Sequence, residues 1–422
     1  MRIFRIICIV VCLQPGMSHL RSQSLSFVLK TADRALLPLP VQLLVHDFPS
    51  NGDSVQVQVF RETERGLTPI RSQLETGINT YLWFIPDEVI APHSEVIFHI
   101  KLDKVSPAQT VTVKNNVRMD QHNISLGHGG KKVLDYHHAY MEAPQSVDPL
   151  YGKSGFIHPL RSPEGNVLTR IQPDDHYHHY GIWNPWTKTI VDGQEVDFWN
   201  LAKGEGTVRF AGMISKTAGE VFSGFSIRQE HVNFKARGAD QVAINECWYV
   251  KNFPVEIEGR VCWLVDFIST MNNPLDSAIE LSAYRYGGGI GWRATAAWNK
   301  DNSSILTSEG KTRTDADGSH ARWCKVEGLF PSGINSGIVF CSHPGNRAHP
   351  EPMRVWPEDA NDGRGDVFFE FCPIRYQKWT IYPGEDYGMK YRMLVFDGEI
   401  TREIAESVWL AYAKPVAIEW IK

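Results

Sequence analysis

The clearest fold signal in this sequence is SVQVQVF at residues 54–60, where apolar side chains alternate with polar ones. A period of two residues is typical of a β strand that buries one face. The segment EVIFHI at residues 95–100 repeats the pattern less cleanly, and PSNG at residues 49–52 supplies a turn signal between short strands. Short strands at this spacing predict a small, immunoglobulin-like β-sandwich over residues 24–105.

The composition changes beyond a polar stretch at residues 103–109, which we interpret as a linker. Twelve of the 13 tryptophans lie beyond residue 180, among further segments rich in β-branched and aromatic residues. Residues 403–413 have the spacing of an amphipathic helix, with Thr401 placed as its N-cap. We predict strands at residues 242–250, 261–268, 337–341, 367–372 and 390–396.

These patterns together predict an all-β chain of two modules. The small N-terminal β-sandwich is followed by a large antiparallel β-sandwich, with long loops and a C-terminal helix, over residues 110–422. The linker composition predicts that the two modules fold independently and share few contacts. We expect the chemistry to lie in the large module.

Residues 1–18 have the order of a secretory signal peptide. Arg2 and Arg5 precede a short apolar run, and Gly16 and Ser18 are small residues at the positions of a cleavage site. The run is too short to span a membrane, and no later stretch is long and apolar enough to do so. We therefore expect an exported protein, periplasmic or secreted, without a membrane span.

Charge and cysteine usage narrow the class further. The net charge is −5 and no basic run is present, which argues against a nucleic-acid partner. Five cysteines lie outside the predicted signal peptide, and an odd number at wide spacing fits neither a disulfide framework nor a CxxC metal site. Cys247 and Cys262 flank a turn signal at residues 252–254 and could pair, although free buried thiols are favoured.

The densest group of reactive side chains is DDHYHHYGIW at residues 174–183. In an extended backbone His176 and His178 would point to one face and His179 to the other. Histidine titrates near neutrality, so we take these three as candidate catalytic residues for proton transfer. A solvated histidine-rich loop, or histidines satisfied within a core, is the alternative interpretation.

Further polar and aromatic residues could bind a substrate beside these histidines. His158 and Arg170 flank a hairpin signal at residues 162–166, which would bring His158 towards the cluster. Tyr180 and Trp183 belong to an aromatic group that suits sugar rings but also suits a core. The remaining candidate substrate-binding residues are Arg293, His343, Asn346 and His349. YRYGGG at residues 284–289 adds cationic and phenolic groups beside a glycine run.

The motifs DHYHHYGIW at residues 175–183 and DFW at residues 197–199 resemble the bacterial family labelled "methane oxygenase PmoA-like". The resemblance continues through LTSEG at residues 306–310 and HPGNRAHP at residues 343–350, and covers roughly residues 110–398. The label is misleading, because methane monooxygenase subunits span membranes several times. The resemblance implies an exported accessory enzyme of polysaccharide breakdown, and an oligosaccharide dehydratase acting on terminal uronic acids.

This sequence departs from the family pattern His-Pro-His-His-Arg-Gly at two positions. Tyr177 replaces the proline and Tyr180 replaces the arginine. A guanidinium is the natural bidentate partner of a uronate carboxylate, so its loss must be compensated. Arg170, Arg285 or Arg293 could supply the charge; otherwise the substrate differs from the family's usual one.

The leading functional hypothesis is a carbon–oxygen lyase that dehydrates an acidic oligosaccharide. A glycoside hydrolase or a sugar epimerase is the alternative, although no carboxylate spacing singles out a hydrolytic pair. A non-catalytic glycan-binding protein is the third hypothesis. The cofactor stays open between none and a single divalent metal, which His176 and His178 could bind with His158, His343 or a carboxylate.

Overall fold

The computed structural model describes residues 25–45, 55–104, 113–184 and 186–421. The predicted signal peptide lies outside these residues, and so does most of the predicted linker. Within them the chain forms antiparallel strands, two short 3₁₀ turns (Pro149–Tyr151 and Leu201–Lys203) and one α-helix. The elements are β1 Leu25–Lys30, β2 Val41–Val45, β3 Val55–Thr63, β4 Gly66–Ile70, β5 Ser72–Thr76, β6 Thr80–Phe84, β7 Glu95–Lys104, β8 Asn115–Met119, β9 Asn123–His128, β10 Lys131–His137, β11 Phe156–Leu160, β12 Ile182–Trp183, β13 Thr189–Val191, β14 Gln194–Val196, β15 Gly206–Ala218, β16 Ser223–Asn233, β17 Gln241–Ile257, β18 Arg260–Asn272, β19 Ile279–Leu281, β20 Ile290–Arg293, β21 Ser303–Thr307, β22 His320–Ala321, β23 Trp323–Leu329, β24 Asn335–Ser342, β25 Glu351–Val355, β26 Phe368–Phe371, β27 Trp379–Ile381, β28 Asp386–Asp397, α1 Arg402–Ala413 and β29 Ala417–Ile421.

The N-terminal module is a small β-sandwich, as its alternation predicted. One sheet has the order β29-β1-β7-β3-β4 and the other β2-β6-β5. On β3, Val57 and Val59 are buried while the polar residue between them is not, which follows from the two-residue period. Phe27 and Phe98 stack in the core between the sheets, with ring centroids 5.3 Å apart.

The large module contains two extensive antiparallel sheets with a common core. One sheet has the order β22-β25-β26-β20-β12-β11-β10-β9-β8, and the other β15-β16-β17-β18-β28-β24-β23-β21. Tyr136 and Trp292 from the first sheet share one core cluster with Trp248 and Phe267 from the second. A smaller sheet, β14-β13-β19-β27, lies beside them. The predicted all-β sandwich class is therefore correct.

The hairpin β17–β18 is longer than the sequence indicated. Its turn lies at Glu258 and Gly259, which both have positive φ as a two-residue type I′ turn requires. The predicted turn at residues 252–254 is wrong, because Pro254 lies within β17. Strand β16 pairs with β17 only as far as Asn252, so Pro254 has a ladder partner on one side alone, where proline is tolerated.

This longer hairpin also decides the cysteine question. Cys247 lies opposite Thr270, and Cys262 lies opposite Val255, so the two thiols are not cross-strand neighbours. The five cysteines of the described chain are all free. The pairing that the sequence left open is therefore absent from this part of the chain.

The two modules are joined more closely than the linker composition predicted. Strand β29 pairs antiparallel with β1, so the last strand of the predicted 110–422 domain completes the N-terminal sheet. Trp83 from the small module packs against Phe222 and Phe253 of the large one, with ring centroids 5.8 Å and 5.2 Å away. Helix α1 contributes to the same cluster, which is a shared core and corrects the expectation of few shared contacts.

Helix α1 begins at Arg402, one residue before the predicted start at residue 403, and Thr401 is its N-cap as predicted. The Thr401 side chain accepts a hydrogen bond from the backbone N–H of Ile404 at 3.3 Å, which satisfies one unpaired donor of the first turn. Val408 and Trp409 are buried on its inner face. In the described part of the chain, no helix is both long enough and apolar enough to cross a membrane.

Candidate functional site

The histidine-rich segment is a compact loop and not the extended strand considered above. Ile171 and Tyr180 form a bridge at its base, and the backbone N–H of Gln172 donates to the carbonyl of His179 at 2.8 Å. Two successive turns follow, in which the N–H groups of His176 and His179 each donate to a carbonyl three residues earlier. Because of these turns the predicted two-face arrangement is wrong.

The turns bring the three candidate catalytic rings together. The ring centroid of His176 lies 5.4 Å from that of His178 and 4.7 Å from that of His179, and the last two are 4.8 Å apart. Gly181 closes the loop with a φ of +62°, and a Cβ there would lie 2.2 Å from the carbonyl oxygen of Ile157. Only glycine fits this close approach, so the backbone path explains why residue 181 is a glycine.

Arg293 is the internal anchor of this loop. Its guanidinium is buried at 1% exposure and donates to both carboxylate oxygens of Asp175, at 3.0 and 2.8 Å, and also to Asp366. It lies 4.5 Å from the ring of Trp356 and 3.5 Å from Nδ1 of His179. These partners use its donors within the protein, so Arg293 positions the loop from behind.

Arg170 supports the same cluster. It donates to Asp366 at 3.2 Å and does not line the cavity that the histidines form. Asn361 and Arg364 also donate to Asp366, so this carboxylate is surrounded by donors. The two arginines that the sequence nominated for substrate binding therefore both contact protein carboxylates.

Asp175 orients His176. The distance from its Oδ2 to Nδ1 of His176 is 2.9 Å, so Nε2 of the ring is left for another partner. Burial on its own raises the pKa of Asp175, but the hydrogen bond with His176 and the charge of Arg293 hold that pKa well below its usual range. Asp175 is therefore an ionised acceptor that fixes the tautomer of His176.

His178 and His179 differ from His176 in their surroundings. Burial, followed by the neighbouring charge of His176, lowers the pKa of His178 to about 4, and no described residue hydrogen-bonds its ring. His179 is buried between Trp183 and Phe368, with centroids 5.2 Å away in both cases, and burial lowers its pKa well below the ordinary value. Both rings are neutral at pH 7.

One cavity of about 190 Å³ opens in front of these rings. Its wall combines imidazoles, phenols, an indole, an amide, a hydroxyl and one guanidinium. The lining residues are His176, His178, His179, Thr187, Trp199, Asn200, Tyr284, Arg285 and Tyr286.

The wall formed by Trp199 and Asn200 is fixed by Asp197. Its carboxylate accepts the backbone N–H groups of both residues, at 2.9 and 2.8 Å, and the ammonium of Lys203 at 2.8 Å. The DFW motif is thus a carboxylate-capped turn that presents an indole to the cavity. The indole N–H of Trp199 and the hydroxyl of Thr187 are both buried, and neither has a hydrogen-bond partner among the described residues.

The opposite wall depends on the glycine run at residues 287–289. Gly288 has a φ of +73°, and a Cβ there would lie 1.5 Å from the ring of Trp186. The chain can therefore pass over Trp186 and carry Tyr284–Tyr286 to the cavity. Trp356, whose ring is 4.8 Å from His176, donates its indole N–H to the hydroxyl of Tyr286 at 3.1 Å.

Three other nominated residues lie near the loop but outside this cavity. His158 hydrogen-bonds Thr169 at 2.8 Å, and burial lowers its pKa to about 4. Tyr180 is buried, where its hydroxyl interacts with Gln172 and donates to a backbone carbonyl, and Trp183 is a core residue. The hairpin at residues 162–166 is present, closed by a hydrogen bond from Gly165 to Ser162.

The second histidine motif lies elsewhere. His343 lines a different cavity, between the two modules. Asn346 donates to the carboxylate of Glu351 at 2.9 Å, and the ring of His349 is parallel to that of Trp409 at 6.1 Å. The structure therefore does not bring these three residues to the histidine loop.

Several lining residues were not predicted from the sequence. Arg285 was expected only as a possible replacement for the missing arginine, and Tyr284, Tyr286 and Asn200 were not selected. The glycine run was the available signal, since positive-φ glycines mark a place where the backbone must pass close to a side chain.

Among the described residues, no group of three or more histidines, cysteines or carboxylates is arranged to hold a metal ion.

Comparison with known proteins gives a family without an assigned activity. No curated protein matches the chain. Among solved structures, GH36 alpha-galactosidase AgaA from Geobacillus stearothermophilus is similar at 8% identity and a TM-score of 0.27, over 69% of this chain and 40% of that one. AgaB from the same organism is similar at 9% identity and a TM-score of 0.25, over 69% of this chain and 41% of that one. The chain thus spans about two fifths of these enzymes, and values this low carry no information about activity. The model of a family of unknown function, DUF6807, matches residues 123–410, and the chain belongs to that family.

Proposed function

We propose that this protein is an exported carbohydrate-active enzyme that removes water from the terminal uronic acid of an acidic oligosaccharide. The observation that carries the proposal is the composition of one cavity, which combines an oriented histidine, a neutral histidine and an unpaired arginine. The motif resemblance at residues 175–183 and 343–350 supports an exported enzyme of polysaccharide breakdown.

Arg285 is the group that neutralises the uronate carboxylate in this proposal. Its side chain is exposed at the cavity, and no carboxylate in the described chain pairs with it. Arginine binds carboxylates through two parallel hydrogen bonds, and the bound charge acidifies the adjacent C–H. Arg285 thereby replaces the arginine that the family pattern places at residue 180.

His176 is the base. Asp175 holds its Nδ1, so Nε2 can accept the proton that lies α to the carboxylate. The electron pair of that C–H bond forms the carbon–carbon double bond, and the bond from the β carbon to the hydroxyl oxygen breaks. A proton from an acid converts the departing hydroxide into water.

Tyr286 is the acid. Its oxygen accepts the indole N–H of Trp356, so its own O–H is available to donate into the cavity. Within the described chain no residue hydrogen-bonds the His178 ring, and burial lowers its pKa to about 4, so it is a neutral acceptor for a sugar hydroxyl at pH 7. Thr187 and Trp199 offer buried donors that a sugar oxygen could satisfy.

The test is an absorbance assay for the conjugated double bond of an unsaturated uronate. The protein, produced without a histidine tag, is incubated with oligosaccharides that end in glucuronate, galacturonate, mannuronate or iduronate. We expect the protein to turn over at least one of these oligosaccharides. The turnover rate should fall roughly 10²-fold or more in His176→Ala and in Tyr286→Phe. It should not change in His320→Ala, which replaces an exposed histidine outside the cavity. No absorbance change with any substrate would contradict the proposal.

A sugar epimerase is the second candidate, because the same base could remove the same proton and return it to the opposite face. None of the described residues that line the cavity carries a carboxylate, which disfavours a hydrolase that needs two. Binding without turnover would indicate a non-catalytic glycan-binding protein.

Activity before and after chelation and dialysis tests whether a divalent metal takes part.

A further inference from the structure

A second cavity lies where the small module, the eight-stranded sheet and helix α1 meet. Its volume is about 370 Å³, against about 190 Å³ for the histidine cavity. Seven of its lining residues are aromatic or cationic. They are Trp83, Tyr249, Lys251, His343, Lys390, Arg392 and Tyr412.

The charges in this cavity do not balance. Lys251 is paired with Glu75 at 2.6 Å, and Arg392 forms two hydrogen bonds with Asp266, at 2.6 and 2.8 Å. Lys390 is exposed and has no carboxylate partner within the described ranges. The wall therefore keeps one positive charge after its internal pairs are counted, and it would favour an anionic ligand.

Two neutral donors belong to residues that line the same cavity. Nδ1 of His343 accepts the backbone N–H of Gly345 at 3.0 Å, so the ring proton is on Nε2, for which the described chain provides no acceptor. The hydroxyl of Tyr412 is buried, and none of the described residues hydrogen-bonds it. The ring of Tyr412 is held in place by the Arg392 guanidinium at 4.5 Å and by the His343 ring at 5.1 Å. A buried polar group without a partner costs stability, so the Tyr412 hydroxyl indicates a ligand with an acceptor oxygen.

The rest of the wall suits a ring with apolar faces. Tyr249 leaves 40% of its surface exposed, and Trp83 and Tyr412 lie in the same cavity. Leu36, Val41 and Pro415 add apolar surface. A free inorganic anion would use Lys390 but not these faces, whereas a sugar ring with a carboxylate uses both.

We propose that this inter-module cavity is a second binding site for an acidic saccharide, separate from the histidine cavity. Lys390 pairs with the carboxylate, His343 and Tyr412 donate to ring or hydroxyl oxygens, and Tyr249 packs against the ring. The site accounts for the HPGN motif, which the histidine cavity does not use. The charges, donors and aromatic faces that support this second site do not depend on turnover at His176.

The experiment is calorimetric titration of the full chain carrying His176→Ala, so that turnover does not interfere. The probes are trisaccharides of glucuronate, galacturonate, mannuronate and iduronate, with maltotriose as the uncharged control and inorganic sulfate as the free anion. We expect one acidic trisaccharide to bind at the cavity, with an affinity that falls roughly tenfold in Lys390→Met and in Tyr412→Phe. Lys216→Met, an exposed lysine on edge strand β15, should bind like the parent.

Three results would overturn the inference. They are binding of none of the acidic probes, equal binding of maltotriose or sulfate, and affinities that do not change in Lys390→Met or Tyr412→Phe. Failure at this site leaves the absorbance assay unaffected. Conversely, binding that Lys390→Met weakens would stand even if the histidine cavity turned over nothing.

Discussion

At the scale of single residues, the account depends on how Asp175 holds His176. Asp175→Asn removes the negative charge but keeps the shape, and we expect kcat to fall roughly 10²-fold with little change in KM. Asp174→Asn is the matched control, because Asp174 is the exposed neighbour in the same loop. Steady-state kinetics with circular dichroism of both variants checks this. An unchanged kcat in Asp175→Asn would remove the dyad from the mechanism.

Buried histidines also make stability depend on pH. The pKa values of His158 and His178 are lowered from 6.5 to about 4, chiefly by burial. Between those values the unfolded chain binds more protons than the folded one, so the free energy of unfolding is highest above about pH 6.5 and falls as the pH falls towards 4. Urea unfolding at several pH values measures this, and His158→Gln should make the decline shallower. A decline of the same steepness in that variant would contradict the assignment.

The sequence was most informative about residues where chemistry is dense. It identified all three histidines of the cavity, because such a cluster serves no strand. It could not show that Arg293 and Arg170 contact Asp366, since these partners are 73 and 196 residues apart in the chain. Pairing of buried charges is a tertiary property. Arg285 was mentioned, but nothing in the local sequence showed that it alone would stay unpaired at the cavity.

At the scale of elements, the glycine run at residues 287–289 is the most sensitive point. Gly288→Ala would place a Cβ against Trp186, at a φ that L residues rarely adopt, and we expect a loss of roughly 2–4 kcal/mol in stability. Gly333→Ala is the matched control, because Gly333 has a similar φ of +80° and nothing within 4 Å of a Cβ. Denaturant unfolding compares the two. If the two variants lose the same free energy of unfolding, the close packing of residue 288 on Trp186 contributes nothing to stability.

Element boundaries were predictable where local patterns decide them. Alternation predicted β3, and the Thr401 cap predicted the start of α1. The end of β17 was missed, because Pro254 normally terminates a strand, and only the neighbouring strands determine that its missing N–H faces no partner. The histidine loop was missed as a loop for a related reason. Its turns are closed by backbone hydrogen bonds that a two-residue alternation does not encode.

At the scale of the whole molecule, the two modules should unfold together. Trp83 is buried against Phe222 and Phe253 across their junction, and β29 completes the N-terminal sheet. We expect one calorimetric transition for the intact chain, and Trp83→Ala should lower its Tm without splitting it. Two resolved transitions would show that the modules are independent after all.

The same coupling changes what truncation should do. The sequence predicted independent modules with the chemistry in the large one, and on that basis a chain starting near Ala108 would keep its activity. The structure shows that such a chain would expose Phe222 and Phe253 and leave β29 without β1. The pairing of β29 with β1 joins the first and last strands that the structure describes, and no local pattern could reveal it. We now expect the truncated chain to be less stable and prone to aggregation.

If the histidine cavity removes water from an acidic sugar, the mass of the product will be lower than that of the substrate. Oligosaccharides that end in a uronate are incubated with the protein and with His176→Ala, and both mixtures are analysed by mass spectrometry. We expect a product lighter by one water with the parent protein and unchanged substrate with the variant. A product heavier by one water, or of unchanged mass with an inverted carbon, would contradict it.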